Sequence, residues 1–255
     1  MSNNKLTLYK EFDWESYKKL NPFLYIIGLR TKEEYTINYF TEGILKARIC
    51  KESELIKKSF HVLLATIGNK SIFGILNMLK NQLSEIDFLT IVFDGIDKSQ
   101  NIDLIKNFCK DFICKINIII ENENLGFWGH GIRNKHNNLE GDFVFHIDDD
   151  DILFDNSFEI IRKYCINNDI IYLFKIMLEN NSIIWKKPEI KYANISTQSG
   201  IIPTKINKTG FWELKYGGDY GFYKKLCEKN IYVFMNHLIY RKIGNGPKKI
   251  VKYIE

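Results

Sequence analysis

Four consecutive acidic residues, Asp148 to Asp151, directly follow the apolar run Phe143-Val144-Phe145-His146-Ile147. The run is short and rich in β-branched and aromatic residues, and a Gly141-Asp142 turn signal precedes it, so it predicts a buried β-strand. Adjacent carboxylates repel one another, and a folded chain keeps them together where a cation or a basic ligand compensates their charge. Acidic side chains at the carboxyl end of such a strand lie where open α/β sheets bind their ligands.

Ligands that are all oxygen atoms suit Mg²⁺ or Mn²⁺, and such an ion typically bridges to phosphates. The acidic residues therefore predict a metal-dependent site for a substrate that carries a diphosphate. Two other interpretations are a solvated acidic loop and a calcium-binding loop with Glu159 as its twelfth residue. The calcium loop would need glycine at its sixth position, where this chain has Leu153. Neither alternative explains why the acidic residues follow a buried strand.

With 255 residues, the chain can form one large domain or a domain with a small appendage. Its hydrophobic content of 45% is enough for a core and excludes a disordered chain. The net charge of +5 is mild, and no dense basic block occurs before Lys248-Lys249. This composition argues against nucleic acid as a partner, although a positive field would help to attract a nucleotide diphosphate.

The cysteines and the N-terminal sequence indicate the cellular compartment in which we expect the protein. Five cysteines form neither a Cys-x-x-Cys pair nor a zinc pattern with histidine, namely Cys50, Cys109, Cys114, Cys165 and Cys227. Such a scattered, odd-numbered set is typical of reduced, mostly buried thiols. The N-terminus lacks the apolar core of a signal peptide, and no window approaches the roughly 20 apolar residues of a membrane helix. We expect a soluble, cytoplasmic protein without a transmembrane segment.

Residues 1–58 differ in pattern from the rest and predict a small helical module followed by a linker. Asp13 is placed to cap a helix that ends at Asn21-Pro22. Thr31 and Glu34 form a capping box for another helix, which Gly43 ends. The module has little core of its own, so we expect it to pack on a main domain of residues 59–255.

The main domain begins with strands that alternate with helices. Apolar runs predict strands at 60–66, 88–93 and 116–120 before the strand of the acidic residues, and helices start at Ile72 and Ile102. This alternation predicts parallel βαβ units with right-handed crossovers. The glycine pattern of an NAD-binding fold is missing after the first strand, so a nucleotide must be held in another way.

The second half of the main domain is less regular. We predict a helix around Phe158, two antiparallel strands at 170–178 and 183–186, and a last strand at 231–235. Pro203 suggests that the strand at 201–203 lies at an edge of the sheet. Gly217-Gly218-Asp219 opens another helix, with Asp219 as its cap. The expected fold is an α/β domain with a mixed, mainly parallel sheet flanked by helices.

These features resemble the GT-A glycosyltransferases, and most closely the mostly inverting family 2. The resemblance covers residues 60–245. It is carried by five pieces in the correct order, namely Ala65-Thr66 with Asn69, Asp94-Gly95, Asn124-x-Gly126 with Arg133-Asn134, Gly141-Asp142, and Asp148 to Asp151. The resemblance implies the Rossmann-like nucleotide-diphospho-sugar transferase fold.

The resemblance also implies roles for individual residues. Thr66 and Asp94 match positions that contact the nucleotide base and ribose, and Arg133 matches a basic position near the diphosphate. Asp148 and Asp149 are assigned to binding of the nucleotide sugar, and Asp150 to the metal, in an Asp-x-Asp motif. A turn carboxylate is the structural alternative for Asp94, and a surface arginine is the alternative for Arg133.

Asp219 matches the catalytic base of the family, a role that is compatible with a helix cap. The common Arg-x-His near the C-terminus appears here as Arg241-Lys242-Ile243, so that histidine is absent. His237 in the preceding strand is then a candidate metal ligand, with a purely structural histidine as the alternative. Trp185, Trp212 and Tyr216 are candidate faces for stacking on sugars, with a place in the core as the alternative.

The implied reaction moves a sugar from a nucleotide-diphosphate sugar, with a UDP-sugar favoured, to a glycan or other hydroxyl acceptor. It would proceed with inversion, with Mn²⁺ or Mg²⁺ at the leaving group. A sugar nucleotidyltransferase is one alternative, but it would need a glycine-rich basic loop where this chain has only Gly68-Asn69-Lys70. A non-catalytic glycosyltransferase-like binding protein is the other.

Overall fold

The computed structural model describes residues 12–46, 48–49, 56–95 and 101–243. These residues form a mixed sheet of nine strands with helices on both faces. The strands are β1 Phe60–Thr66, β2 Phe88–Phe93, β3 Lys115–Ile120, β4 Phe143–Asp148, β5 Ile152–Leu153, β6 Ile170–Met177, β7 Ile183–Ile184, β8 Gly200–Pro203 and β9 Ile231–Arg241. The α-helices are α1 Trp14–Leu20, α2 Phe23–Ile26, α3 Lys32–Asn38, α4 Ile72–Lys80, α5 Ile102–Cys109, α6 His130–Lys135, α7 Ser157–Tyr164, α8 Thr204–Asn207 and α9 Gly218–Lys229.

The strand order is β3-β2-β1-β4-β8-β6-β9-β5, with β7 paired to β6. Strands β3, β2, β1 and β4 are all parallel, and β8 is antiparallel to both of its neighbours. Ala65 pairs with Asp148, and Thr66 pairs with Phe93, so β1, β2 and β4 end at nearly the same level. The predicted α/β class and the parallel first half of the sheet are confirmed.

Alternating residues of the central strands face two different layers. On β1, Val62 and Leu64 belong to the large core that includes α4 and α7. Leu63 and Ala65 point to the opposite face, where they pack against Ile132 of α6. Because both faces are covered, the central strands are apolar along their whole length, as parallel strands usually are.

Two predictions for the second half of the chain are wrong. Strand β8 is not an edge strand, because it lies between β4 and β6. Pro203 is tolerated there because it is the last residue of the strand, and the next amide, of Thr204, donates to Asp142 O instead. Asp219 does not cap α9; Gly217 holds the cap position with a φ of 76°, and Asp219 is the second helical residue.

The N-terminal helices follow their sequence signals closely. Asp13 caps α1 by accepting a hydrogen bond from Ser16 N, and Thr31 and Glu34 form the predicted capping box of α3. A π-helical turn, Tyr39–Gly43, continues α3. Tyr39 packs in the same core as β1, and its hydroxyl accepts a hydrogen bond of 2.9 Å from Asn167 Nδ2. The division of the chain at residue 58 stays a prediction, and residues 50–55 of the linker lie outside the described residues.

Four of the five cysteines lie within the described residues. Cys109, Cys114, Cys165 and Cys227 are buried thiols, and Cys50 lies outside the described residues. In the described parts of the chain, every helix is too short or too polar to span a bilayer.

Candidate active site

A cavity of about 400 Å³ opens at the carboxyl end of β4. Acidic, aromatic and basic side chains from distant parts of the chain line it, namely Trp128, His130, Asp148, Asp150, Asp151, Tyr192, Ala193, Ile195, Thr197, Tyr216, Gly217, Asp219 and Lys242. The first, parallel half of the sheet contributes Asp148, whereas Asp219 comes from α9 and Lys242 follows β9. The cavity therefore lies where the two halves of the sheet meet.

Asp148 forms an ion pair with Arg133. Its Oδ1 accepts a hydrogen bond of 2.5 Å from the Arg133 guanidinium, and its Oδ2 accepts one from the side-chain amide of Gln198. Arg133 is completely buried and also donates to Trp128 O at 2.8 Å. Burial opposes the charged form of Asp148, but Arg133 and Lys242 outweigh it and lower the pKa of the carboxyl group. Asp148 thus stays ionised at the rim of the cavity.

Asp149 is bonded to Thr66. The Thr66 hydroxyl donates to Asp149 Oδ2 and accepts a hydrogen bond of 2.9 Å from Gly68 N. Burial raises the pKa of Asp149 to about 6, although the Thr66 bond acts in the opposite direction. This contact joins the ends of β1 and β4, and it brings together two of the residues that the resemblance assigns to nucleotide-sugar binding.

Asp151 is tied to the end of β9. Its carboxylate accepts a hydrogen bond of 2.9 Å from Ile243 N and one of 3.5 Å from Gln198. Burial and the neighbouring charge of Asp148 raise the pKa of Asp151 to about 8. The residue therefore fixes the acidic turn to the second half of the sheet.

Asp150 differs from its three neighbours because, among the described residues, only its own backbone amide donates a hydrogen bond to its carboxylate. It lines the cavity, and burial together with the charge of Asp148 raises its pKa. Among the described residues, no group of three or more His, Cys, Asp or Glu side chains is arranged to hold a metal ion. One carboxylate completed by substrate phosphates is nevertheless a common way to bind Mg²⁺. The residues fit an ion that arrives with a diphosphate, rather than one held by the protein alone.

Asp94 is not among the residues that line the cavity, but it holds a loop that reaches the cavity. Its carboxylate accepts hydrogen bonds from Leu125 N at 2.6 Å and from Gly126 N at 3.1 Å, so it fixes the loop after β3. In that loop Phe127 and Trp128 have φ values of 56° and 53°, in the left-handed region that non-glycine residues rarely adopt. Their side chains are nonetheless exposed, and the ring of Trp128 lies at the cavity mouth. A strained backbone of this kind persists where the surroundings hold it, often at functional sites.

Asp219 lines the cavity from the first turn of α9. Its Oδ1 accepts a hydrogen bond of 2.8 Å from Tyr220 N. The residue is half-buried and lines the cavity. A side chain at Gly218 would lie 2.1 Å from Glu213 O and 2.7 Å from His130 Nδ1, so only glycine allows this close approach. Gly218, directly before Asp219, is therefore needed to bring the helix start against His130.

His130 is a buried, neutral neighbour of Asp219. Its Nδ1 lies 2.9 Å from Glu213 O, and because a carbonyl oxygen only accepts, Nδ1 carries the proton. Burial lowers the pKa of His130, and the charge of Arg133 lowers it further. His130 therefore adds no positive charge to the cavity at neutral pH.

His237, a predicted metal ligand, lies away from the cavity that Asp150 lines. His237 lies on β9 with its ring 4.6 Å from the ring of Tyr164, and it is not among the residues that line the cavity. Of the proposed sugar-stacking residues, Trp185 and Trp212 are only 7% and 1% exposed and belong to the core. Tyr216 is 76% exposed and does line the cavity.

No protein-family model matches the chain, and no curated protein matches it. Solved structures do match. S. aureus TarS, residues 1–349, aligns with a TM-score of 0.55 over 72% of this chain at 20% identity. The mannosyltransferase PcManGT from Pyrobaculum calidifontis, in complex with GDP-Man and Mn²⁺, aligns with a TM-score of 0.58 over 76% of this chain at 10% identity. The chain has the GT-A glycosyltransferase fold.

The likeness to these GT-A structures is one of fold, because the sequence identities are low. A complex of TarS with UDP-GlcNAc aligns with a TM-score of 0.57 over 74% of this chain at 18% identity. The chain spans about three fifths of the length of these proteins, 60% of the TarS 1–349 chain and 59% of PcManGT.

Sequence reasoning missed several residues of the cavity region, among them Gln198, Lys242 and His130, and also Trp128 and Tyr192. Gln198 lies in a polar segment that carries no motif, yet its amide is completely buried and joins Asp148 to Asp151. Lys242 is the variable middle residue of the Arg241-Lys242-Ile243 segment, to which the pattern assigns no role. A polar residue next to a buried strand is a weak signal, because its partner is a carboxylate 50 residues away in the chain.

Proposed function

We propose that this protein transfers a sugar from a nucleotide-diphosphate sugar to a hydroxyl acceptor. The observation that carries the proposal is the single cavity in a GT-A fold that Asp148, Asp150 and Asp219 line together. These residues come from the end of β4, the turn after it and the start of α9, and each matches a role that the resemblance implies. A cavity with separate candidates for donor binding, metal binding and proton transfer suits group transfer between two substrates.

The donor is proposed to be a UDP-sugar, bound at the carboxyl ends of β1, β2 and β4. TarS has been solved with UDP and with UDP-GlcNAc, and PcManGT with GDP-Man. In this chain, Thr66, Asp94, Arg133, Asp148 and Asp149 would bind the nucleotide sugar. Asp94 and Arg133 would act mainly by positioning, because their hydrogen bonds hold the loop at Trp128 and the carboxylate of Asp148.

Asp150 is the proposed ligand of a divalent ion, Mn²⁺ or Mg²⁺. When bound, such an ion would neutralise charge on the leaving diphosphate. PcManGT was solved with Mn²⁺, which supports a divalent ion in this fold. His237 is the weaker candidate ligand, because its ring packs on Tyr164 rather than at the cavity.

Asp219 is the proposed general base of an inverting reaction of the family 2 type. The acceptor oxygen would attack the anomeric carbon while the bond from that carbon to the diphosphate oxygen breaks. The acceptor proton would pass to the Asp219 carboxylate, and the electron pair of the broken bond would leave with the diphosphate. The half-buried, cavity-facing position of Asp219 supports this role.

A carbohydrate is the proposed acceptor. Trp128, Tyr192 and Tyr216 line the cavity with side chains that are 64%, 54% and 76% exposed. The rings of Trp128 and Tyr216 meet edge to face at 5.7 Å. Exposed aromatic rings beside polar groups supply an apolar face and hydrogen bonds together, and a sugar ring requires both.

A panel of nucleotide sugars tests the proposal. We expect hydrolysis of one donor, or transfer from it, and a rise in melting temperature with that donor that increases with Mn²⁺. Release of pyrophosphate from UTP and a sugar phosphate would instead indicate a nucleotidyltransferase. If the protein neither bound nor turned over any of the donors tested, that result would contradict the proposed function.

A further inference from the structure

The cavity carries more negative than positive charge. Asp148, Asp150 and Asp219 line it, and Arg133 compensates only one of them, since both of its terminal nitrogens already donate to Asp148 or to backbone carbonyls. A diphosphate would add further negative charge. Binding of a nucleotide diphosphate therefore needs additional cations.

Lys242 is the only lysine or arginine among the cavity-lining residues of the described chain. It directly follows β9, where its amide donates to Met177 O at 2.8 Å and the amide of Ile243 donates to Asp151 Oδ1 at 2.9 Å. Both sides of its backbone are thus fixed to the sheet and to the acidic turn. The position of the ammonium group over the cavity is a consequence of the fold.

The charge of the Lys242 ammonium affects the carboxyl groups of the acidic turn, although the ammonium forms no direct ion pair with them. Its charge lowers the pKa values of Asp148, Asp150 and Asp151, although burial and neighbouring carboxylates raise those of Asp150 and Asp151 overall. Within the described residues, its only side-chain hydrogen bond is a long one of 3.3 Å to Ser196 Oγ, and no carboxylate pairs with it directly. Because an ammonium group has three donors, it keeps bonding capacity for an anionic ligand.

We propose that the Lys242 ammonium binds the diphosphate of the nucleotide donor, beside any divalent ion held at Asp150. This inference rests on the proposed function and adds a specific residue to its donor site. Lys242 is the variable middle residue of the Arg241-Lys242-Ile243 segment, next to the position where Ile243 replaces the histidine of the Arg-x-His pattern, and it supplies a positive charge there. Part of the donor affinity then survives removal of the metal.

Titration calorimetry with UDP and GDP tests the role, in EDTA and in Mn²⁺, with ligand-observed NMR for uridine and guanosine. We expect Lys242→Gln to weaken diphosphate binding about 10- to 100-fold in EDTA, because a charged hydrogen bond is lost. The nucleoside should bind as it does to the wild type, and Lys242→Arg should retain most of the affinity. Lys242→Met, which keeps the aliphatic stem, serves if the glutamine variant does not fold.

Arg241→Gln is the matched control. Arg241, the last residue of β9, is the adjacent basic residue, but its side chain donates to Asn181 Oδ1 at 3.0 Å and does not line the cavity. Its loss should leave binding of nucleoside and diphosphate unchanged. Unchanged diphosphate binding in the Lys242 variants, or an equal loss for nucleoside and diphosphate, would overturn the inference. A wild-type protein that binds neither UDP nor GDP, with or without Mn²⁺, would instead contradict the proposed function.

Discussion

Two Asp–Arg ion pairs, each with one completely buried partner, lie at opposite ends of the parallel strands. At the amino ends, Asp87 pairs with Arg162 and accepts hydrogen bonds from Phe60 N and from both the amide and the hydroxyl of Ser84. At the carboxyl ends, Asp148 pairs with Arg133, and the side chain of Asp148 is 28% exposed to the cavity.

The two pairs use the same chemical groups for different purposes. Asp87 is completely buried and surrounded by donors of the protein itself, so no ligand can reach it. Asp148 has only two side-chain donors and three further acidic neighbours, and it borders an open cavity. The position of an ion pair relative to the strand ends therefore separates a structural pair from a candidate functional one, whereas pairing itself does not.

The largest expected effect is at the cavity. Asp219→Asn keeps the shape of the side chain but removes the proposed base, so turnover should fall roughly 10²–10⁴-fold while UDP affinity stays the same. Steady-state kinetics and calorimetry measure the two quantities. Glu228→Gln, at an exposed carboxylate of the same helix, is the control and should leave both unchanged. Near-normal turnover of the Asp219 variant would remove this residue from the base role.

At the amino ends of the strands, we expect a substitution to reduce stability. Asp87→Ala leaves Arg162 unpaired and breaks the contacts to Phe60 and Ser84, so the free energy of unfolding should fall by about 3 kcal/mol. Urea denaturation measures the change. Lys115→Ala, which breaks the exposed pair with Glu140, should cost less than about 1 kcal/mol. Comparable losses in the two variants would show that burial does not distinguish these pairs.

Asp150→Ala tests the metal at the cavity. We expect Mn²⁺ to strengthen binding of UDP to the wild type by at least about tenfold, and the variant to lose this stimulation. Calorimetry with and without Mn²⁺ measures it. Asp111→Ala, at an exposed aspartate that pairs with Lys80, should keep the wild-type response. A variant at Asp150 that is still stimulated would place the ion elsewhere.

The last effect concerns pH and the amino ends of the strands. Burial lowers the pKa of His61 to about 4 from an ordinary 6.5, so between these values the unfolded chain binds more protons than the folded one. As the pH falls through this window, His61 should remove about 2 kcal/mol of stability between pH 7 and pH 5, while the raised pKa values of Asp149 and Asp151 act in the opposite direction. Urea denaturation of the wild type and of His61→Asn at several pH values isolates this contribution, because the wild type should lose stability relative to the variant as the pH falls. An unchanged slope would mean that His61 does not titrate on unfolding.

Much of the first half of the fold follows from local sequence. Strands β1 and β2 have the predicted bounds because their apolar runs are continuous and turn signals delimit them. The helix of the Thr31 capping box was likewise predictable from side-chain to backbone bonds within one turn. The predicted cap at Asp219 failed because a left-handed glycine two residues earlier takes that position.

The amino-acid sequence by itself determined the parallel strands and the acidic turn at the end of β4, because each depends on residues adjacent in the chain. Only the tertiary structure decided which groups meet those acids. Gln198 and Ile243 reach Asp148 and Asp151 across 50 and 92 residues. It also decided that Trp212 is buried while Tyr216, four residues later, faces the cavity. Such contacts depend on how the second half of the sheet packs against the first, and no local pattern encodes that arrangement.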